Sequence, residues 1–141
     1  MGIDMTLYVE LYGSEHLGER EKEIFDRVNA VGLTPAEYPV KILRAPVVRW
    51  WNEFSILQYF IDHFDAEECR ETFLEESDLQ ELLYVCNTVL GNPEQSKTLL
   101  PSYNHKYDDS YWNAIKQTHS QLNQILSVPE FIGCDYYFRF S

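Results

Sequence analysis

The chain is short of positive charge. It carries 11 Lys and Arg against 23 Asp and Glu, a formal net charge of −12. DNA, RNA and anionic membrane all require positive charge at the contact, so no direct nucleic-acid or membrane binding is expected. Glycine is also scarce. None of the 6 glycines falls in a GxGxxG or GxxxxGK[ST] array, which excludes the usual phosphate-cradling loops. Cysteine is limited to Cys69, Cys86 and Cys134, odd in number, widely spaced and without a CxxC pair. That pattern suits free thiols in a reducing cytoplasm rather than a disulfide framework. No apolar run approaches the length of a membrane span. Met1-Gly2-Ile3-Asp4 has no basic region leading into an apolar one, so no signal peptide is expected. Gly2 with Thr6 meets a myristoylation pattern only on paper, because Asp4 and Met5 weaken it.

What is abundant is apolar and aromatic. Hydrophobic residues make up 45% of the chain and aromatics 15%, a composition that packs a core rather than a disordered acidic tail. A length of 141 residues suits one domain, residues 1–141, with no internal repeat and no linker. Both ends alternate with period two. Ile3, Met5, Leu7, Val9 and Leu11 share one side of a strand over 3–12, and Cys134, Tyr136, Phe138 and Phe140 share one side of another over 134–140. Between them the pattern is helical. A charged helix is expected over 18–31, a single turn from Thr34 to Pro39, and a short edge strand over 40–48 broken by Pro46.

The apolar stripe of Trp50, Phe54, Leu57, Ile61 and Phe64 predicts a helix from about Arg49 to Phe64. Ser77 with Gln80 reads as a capping box for a helix ending at Gly91-Asn92-Pro93. Asp108 or Asp109 caps a last helix to about Ser127, with Trp112, Ile115, His119, Leu122 and Leu126 on its apolar side. The fold class is therefore α+β: a small antiparallel or mixed sheet holding both terminal strands, covered by three to four helices.

No catalytic constellation assembles from these elements. Cys86 and Cys134 fall on core faces, and Cys69 lies among acids, which disfavour its thiolate. GxSxG is absent, and with 23 acids in the chain carboxylate pairs carry no information. Asp62-His63 with Asp65, Glu67, Glu68 and Cys69 offers metal donors, but at no known ligand spacing and without the pattern of a calcium loop. No metal and no cofactor are expected.

The dominant feature is charge. Residues 53–81 hold ten acids against one base, Arg70, for a net charge of −9. Asp62, Asp65, Glu67, Glu68, Glu71, Glu75, Glu76 and Asp78 are the candidate partner-binding residues, on a connection between two helices that Phe73 and Leu74 anchor. Their partner would be a basic protein surface. The rival is a small-ligand site, or an enzyme, on the 101–107 loop, using Tyr103, His105, Lys106 and Tyr107. A third possibility is a solvated acidic face with no binding role. Oligomeric state is not legible.

Met1-Gly2-Ile3-Asp4-Met5-Thr6-Leu7 resembles the opening Met-Gly-Leu-Asp-Met-Tyr-Leu of a family of small uncharacterised bacteriophage and prophage proteins. The likeness extends through Val47-Val48-Arg49-Trp50-Trp51-Asn52 with Ile56 and Tyr59-Phe60, which look like that family's aromatic helix. It continues through Glu81-Leu82-Leu83, Cys86 and Val89-Leu90, through Leu99-Leu100-Pro101 and Tyr107-Asp108-Asp109-Ser110-Tyr111-Trp112, and to Cys134–Phe138. The chain departs at Leu57, where the family often has His, and at Ser102–Lys106, where it has a Gly/Phe-rich segment. The resemblance implies a phage or prophage origin, a place in the host cytoplasm, and interference with a host nucleic-acid-binding or defence protein. It brings no active site.

Overall fold

A computed structural model describes residues 2–12 and 41–141 of the chain. The helix expected over 18–31 and the turn from Thr34 to Pro39 lie outside the described residues. Four strands, β1 (Asp4–Tyr12), β2 (Lys41–Trp51), β3 (Thr72–Leu74) and β4 (Asp135–Phe140), form one antiparallel sheet in the order β2-β1-β4-β3. The helices are α1 (Phe54–Phe64), α2 (Glu76–Gly91), the single turn α3 (Ser96–Leu99) and α4 (Asp109–Leu126). The α+β expectation holds, and the two terminal strands are neighbours: Met5 faces Phe140 and Glu10 faces Asp135.

Alternation decides which side of the sheet faces the helices. Met5, Leu7, Val9, Val48, Trp50, Leu74, Tyr136 and Phe138 are buried together with Ile56, Phe60, Leu79, Leu82, Ile115 and Leu122 of the three long helices. Trp50 is central to this core. Its ring meets Phe60 of α1 edge-on at 5.8 Å and Phe138 of β4 at 6.2 Å, and Phe60 stacks on Phe138 at 4.0 Å. The indole N–H donates to Thr118 Oγ1 of α4, 2.9 Å, so the one polar atom of the ring is satisfied inside the core.

The second side of the sheet is polar and tied by Arg44. Its Nε donates to Glu10 Oε1 at 2.8 Å, its guanidinium also pairs with Glu71, and it lies 4.6 Å from the Tyr137 ring centre. Arg49 forms a two-pronged pair with Asp4 at 2.9 and 2.8 Å. Gly2 is fixed by contact, since a Cβ there would come within 2.1 Å of the Trp51 ring.

Several elements differ from the sequence expectation. Trp50 and Trp51 do not open a helix. They end β2, one facing the core and one exposed, and α1 begins only at Phe54. The aromatic segment from Val47 to Phe60 is accordingly split between a strand and a helix. Asn52 makes the break: it takes φ 57°, and it exchanges bonds with Ile3, side chain to Ile3 N–H and N–H to Ile3 carbonyl. β2 is longer than expected, and its register shifts between Leu7 and Tyr8, where Val48 and then Pro46 are the partners and Val47 is the extra residue. Residues 65–76 are not a plain loop, because they contain β3. Leu74 anchors this segment as expected, but Phe73 is half exposed and lies edge-on against Tyr137. The cap of α2 is Glu75 with Asp78, not Ser77 with Gln80. On α4 the buried stripe runs through Tyr111, Ala114, Ile115, Thr118, Leu122 and Ile125, and His119 stands at its edge.

Thr118→Val keeps the shape of the buried site and removes the acceptor. It is expected to lower the unfolding free energy by about 1–3 kcal/mol, because the indole N–H is left buried and unpaired. Chemical denaturation followed by tryptophan fluorescence measures this, and a change within experimental error would show that the bond is dispensable.

Candidate functional site

The acids of residues 62–78 do not form one free surface. Glu71 is held by Arg44, and hydrogen bonds to Glu71 and Glu10 push the Arg44 guanidinium further above its ordinary pKa. Asp78 Oδ2 accepts the Glu75 N–H at 2.8 Å, so this pair caps α2. Glu76 accepts the Gly133 N–H at 3.2 Å and ties α2 to the turn before β4. Glu67 pairs with Arg70 at 2.7 Å, both well exposed. Asp62 accepts from Gln58 Nε2 at 2.7 Å, one turn back on α1. Asp65 and Glu68 are exposed and carry no side-chain ion pair among the described residues. What remains outward is Asp62, Asp65, Glu67 and Glu68, a contiguous run from the last turn of α1.

Asp65 ends that helix in the left-handed region, φ 53°, its N–H on the Ile61 carbonyl at 3.1 Å. Carboxylates here meet the negative pole of the helix dipole, which opposes them. Their position costs the fold some stability.

A cleft of about 260 Å³ opens beside this helix end. One wall is a face of α1: Ser55, Gln58, Tyr59, Asp62 and His63. The other is the segment from Leu99 to Tyr103 with His105. The second wall is built, not loose. Tyr111 Oη donates to the Leu100 carbonyl at 2.6 Å, and the Tyr103 N–H donates to Ser55 Oγ at 3.1 Å. Asn104 Oδ1 accepts from Ser102 Oγ at 2.8 Å and from the Lys106 N–H at 3.0 Å, closing a turn that places His105 at φ 59°.

The rings on the α1 side are ordered by one another. His63 stacks on Tyr59 at 4.0 Å, and its Nδ1 lies 2.9 Å from the Tyr59 carbonyl. A carbonyl only accepts, so Nδ1 carries the proton, and in the neutral ring Nε2 is left as an acceptor. Burial pushes the Tyr59 phenol up to about 12, with Glu81, Cys86 and Asp78 of α2 adding to the shift. Tyr103 packs on Phe54 at 5.0 Å and remains more than half exposed.

The four residues expected to bind a ligand on the 101–107 loop do not converge. Tyr103 and His105 line the cleft, and Tyr103 also lines, with Lys106, a neighbouring polar depression that includes Asn52, Glu53 and Asp108. Tyr107 turns inward, its hydroxyl 3.3 Å from the Ser102 N–H and its ring edge-on to Tyr111 at 4.9 Å. Glu53 is partly buried, and burial raises its carboxyl pKa. Cys86 is buried and its thiol is pushed up to about 12 by burial, Cys134 is buried and also raised, and Cys69 is exposed at φ 61°. Among the described residues no three His, Cys, Asp or Glu side chains are placed to hold a metal ion. No described helix is long and apolar enough to cross a membrane.

Sequence reasoning missed Ser55, Gln58 and Tyr59 as part of a site and weighed His63 only among metal donors with Asp62 and the acids after it. Their spacing of three and four does put them on one face of a helix, but nothing local says that residues 99–105 cover that face. No family model, characterised protein or solved structure matches this chain.

The division between engaged and outward acids has a measurable consequence. Glu71→Gln is expected to lower stability by up to about 1 kcal/mol, the scale of a partly exposed ion pair. Glu68→Gln is expected to leave stability unchanged or raise it. Thermal melts of the two variants at low ionic strength test this, and equal shifts would contradict the assignment.

Proposed function

We propose that this protein is a non-enzymatic binding module that recognises a basic protein through the end of α1, with Asp62, Asp65, Glu67 and Glu68 as the contact charges. One observation carries the proposal. Asp62 and Asp65 stand at the negative pole of α1 with no lysine or arginine paired to them among the described residues and only the imidazole of His63 as a basic group in the last turn, an arrangement that a basic partner would relieve. Hydrogen bonds and ring stacking tie both walls of the cleft beside them, which limits the ordering cost of binding. The net charge of −12 favours fast, salt-dependent association with a positive surface. The resemblance to phage and prophage proteins suggests a host nucleic-acid-binding or defence protein as the partner, with the acidic end competing for its nucleic-acid site. A ligand site on Tyr103, His105, Lys106 and Tyr107 is less well supported, since no one pocket takes all four: Tyr103 shares one with His105 and another with Lys106, and Tyr107 lines neither.

The triple variant Asp62→Asn, Asp65→Asn, Glu68→Gln keeps the internal pairs and the left-handed turn, which Asn tolerates. Immobilised native protein should retain basic proteins from a bacterial lysate at low salt and release them at high salt. The triple variant should associate with a retained protein roughly tenfold more slowly at low salt. Its stability should rise by about 0.3–1 kcal/mol for each charge removed from the helix end. Undiminished association would show that this end of α1 is not the contact.

A further inference from the structure

The cleft itself is selective in its chemistry. Among the described residues no lysine or arginine lines it. Its polar side is rich in acceptors: Asp62 keeps one carboxylate oxygen free of Gln58, and His63 has its Nδ1–H committed to the Tyr59 carbonyl, leaving Nε2. Its other side is apolar, with Leu99 and Pro101, and the exposed ring of Tyr103 stands at the edge. At about 260 Å³ it falls just below the roughly 300–1,000 Å³ of most small-molecule sites, and suits one side chain better than a nucleotide or cofactor.

We propose that the cleft between α1 and the 99–105 segment takes an arginine side chain of the basic partner, its guanidinium donating to Asp62 and His63 Nε2 and stacking on Tyr103. The proposal rests on the recognition of a basic protein put forward above and adds which residue of that protein enters. A guanidinium fits better than an ammonium. It offers several donors in a plane to acceptors spread around the cleft, it is weakly hydrated and so tolerates the apolar wall, and it stacks on an aromatic ring. The Asp62 carboxylate on the cleft wall favours either cation over a neutral group.

Two synthetic peptides of equal charge, one with arginine and one with lysine at every basic position, separate the two ideas. Calorimetric titration of the full chain at low salt should give about tenfold tighter binding for the arginine peptide. Tyr103→Ala, which leaves the charge unchanged, should remove most of that preference and leave the lysine peptide within about twofold. Tyr103→Phe should restore the preference, and His63→Leu, at a second exposed position, should also erode it. Equal affinity for the two peptides, or an equal loss for both on Tyr103→Ala, overturns the arginine pocket while leaving the acidic contact surface standing. Absence of salt-dependent binding by either peptide overturns both.

Discussion

Trp50 fixes the relation between the sheet and the helices. Its indole is closed in by Phe60 of α1, Phe138 of β4 and the Thr118 hydroxyl of α4, so one side chain of β2 sets the position of three other elements. The placement has a consequence nearby. Asn52 turns the chain immediately after β2, and α1 begins two residues later, so the face of α1 that bears Ser55, Tyr59 and His63 is oriented by the same junction. The segment from Leu99 to Tyr103 is then tied to that face through Ser55 and to α4 through Tyr111. The cleft is a product of core packing, not of a flexible loop.

Charge in this molecule is divided by role. On the sheet, Arg44 and Arg49 are spent on Glu10, Glu71 and Asp4, and hydrogen bonding to Arg49 holds the Asp4 carboxyl below its ordinary pKa. At the start of α2, Glu75, Glu76 and Asp78 serve helix capping and the turn before β4. These acids stabilise. The acids at the end of α1 do the opposite, because helix dipole and neighbouring carboxylates both oppose them. The Gln58–Asp62 and Arg70–Glu67 contacts offset part of that cost, and on the reading proposed above a bound cation would offset more.

Much of the fold was legible because its signals are long and periodic. The two terminal strands declare themselves by alternation, and of the two caps the sequence offers for α4, Asp108 and Asp109, Asp108 is the one used. The junction at Trp50 was misread for a definite reason. Trp50, Phe54, Leu57 and Ile61 are all apolar at helical spacing, yet Trp50 reaches the core from a strand and the others from a helix. Val47 and Val48 before it, and Asn52 after it, were the contrary signals. β3, at three residues, is too short to show a period. Capping by Glu75 and Asp78 was hidden because Ser77 and Gln80 offered a better-known pattern in the same stretch. The candidate site was legible only in part: the acidic run was visible, but which acids are engaged depends on Arg44 and Gly133, distant in sequence. The closing of residues 99–105 over α1 is a tertiary fact with no local signature.

The proposed contact for a basic partner is the end of α1 with the cleft beside it. Backbone amide NMR of the full chain, titrated with an arginine-rich peptide at low salt, locates the contact residue by residue. The account predicts the largest shifts over residues 58–68 and 99–105, reversed by salt. Shifts centred instead on Tyr8, Arg44 and Tyr137 of the sheet, or none at any peptide concentration, would contradict it.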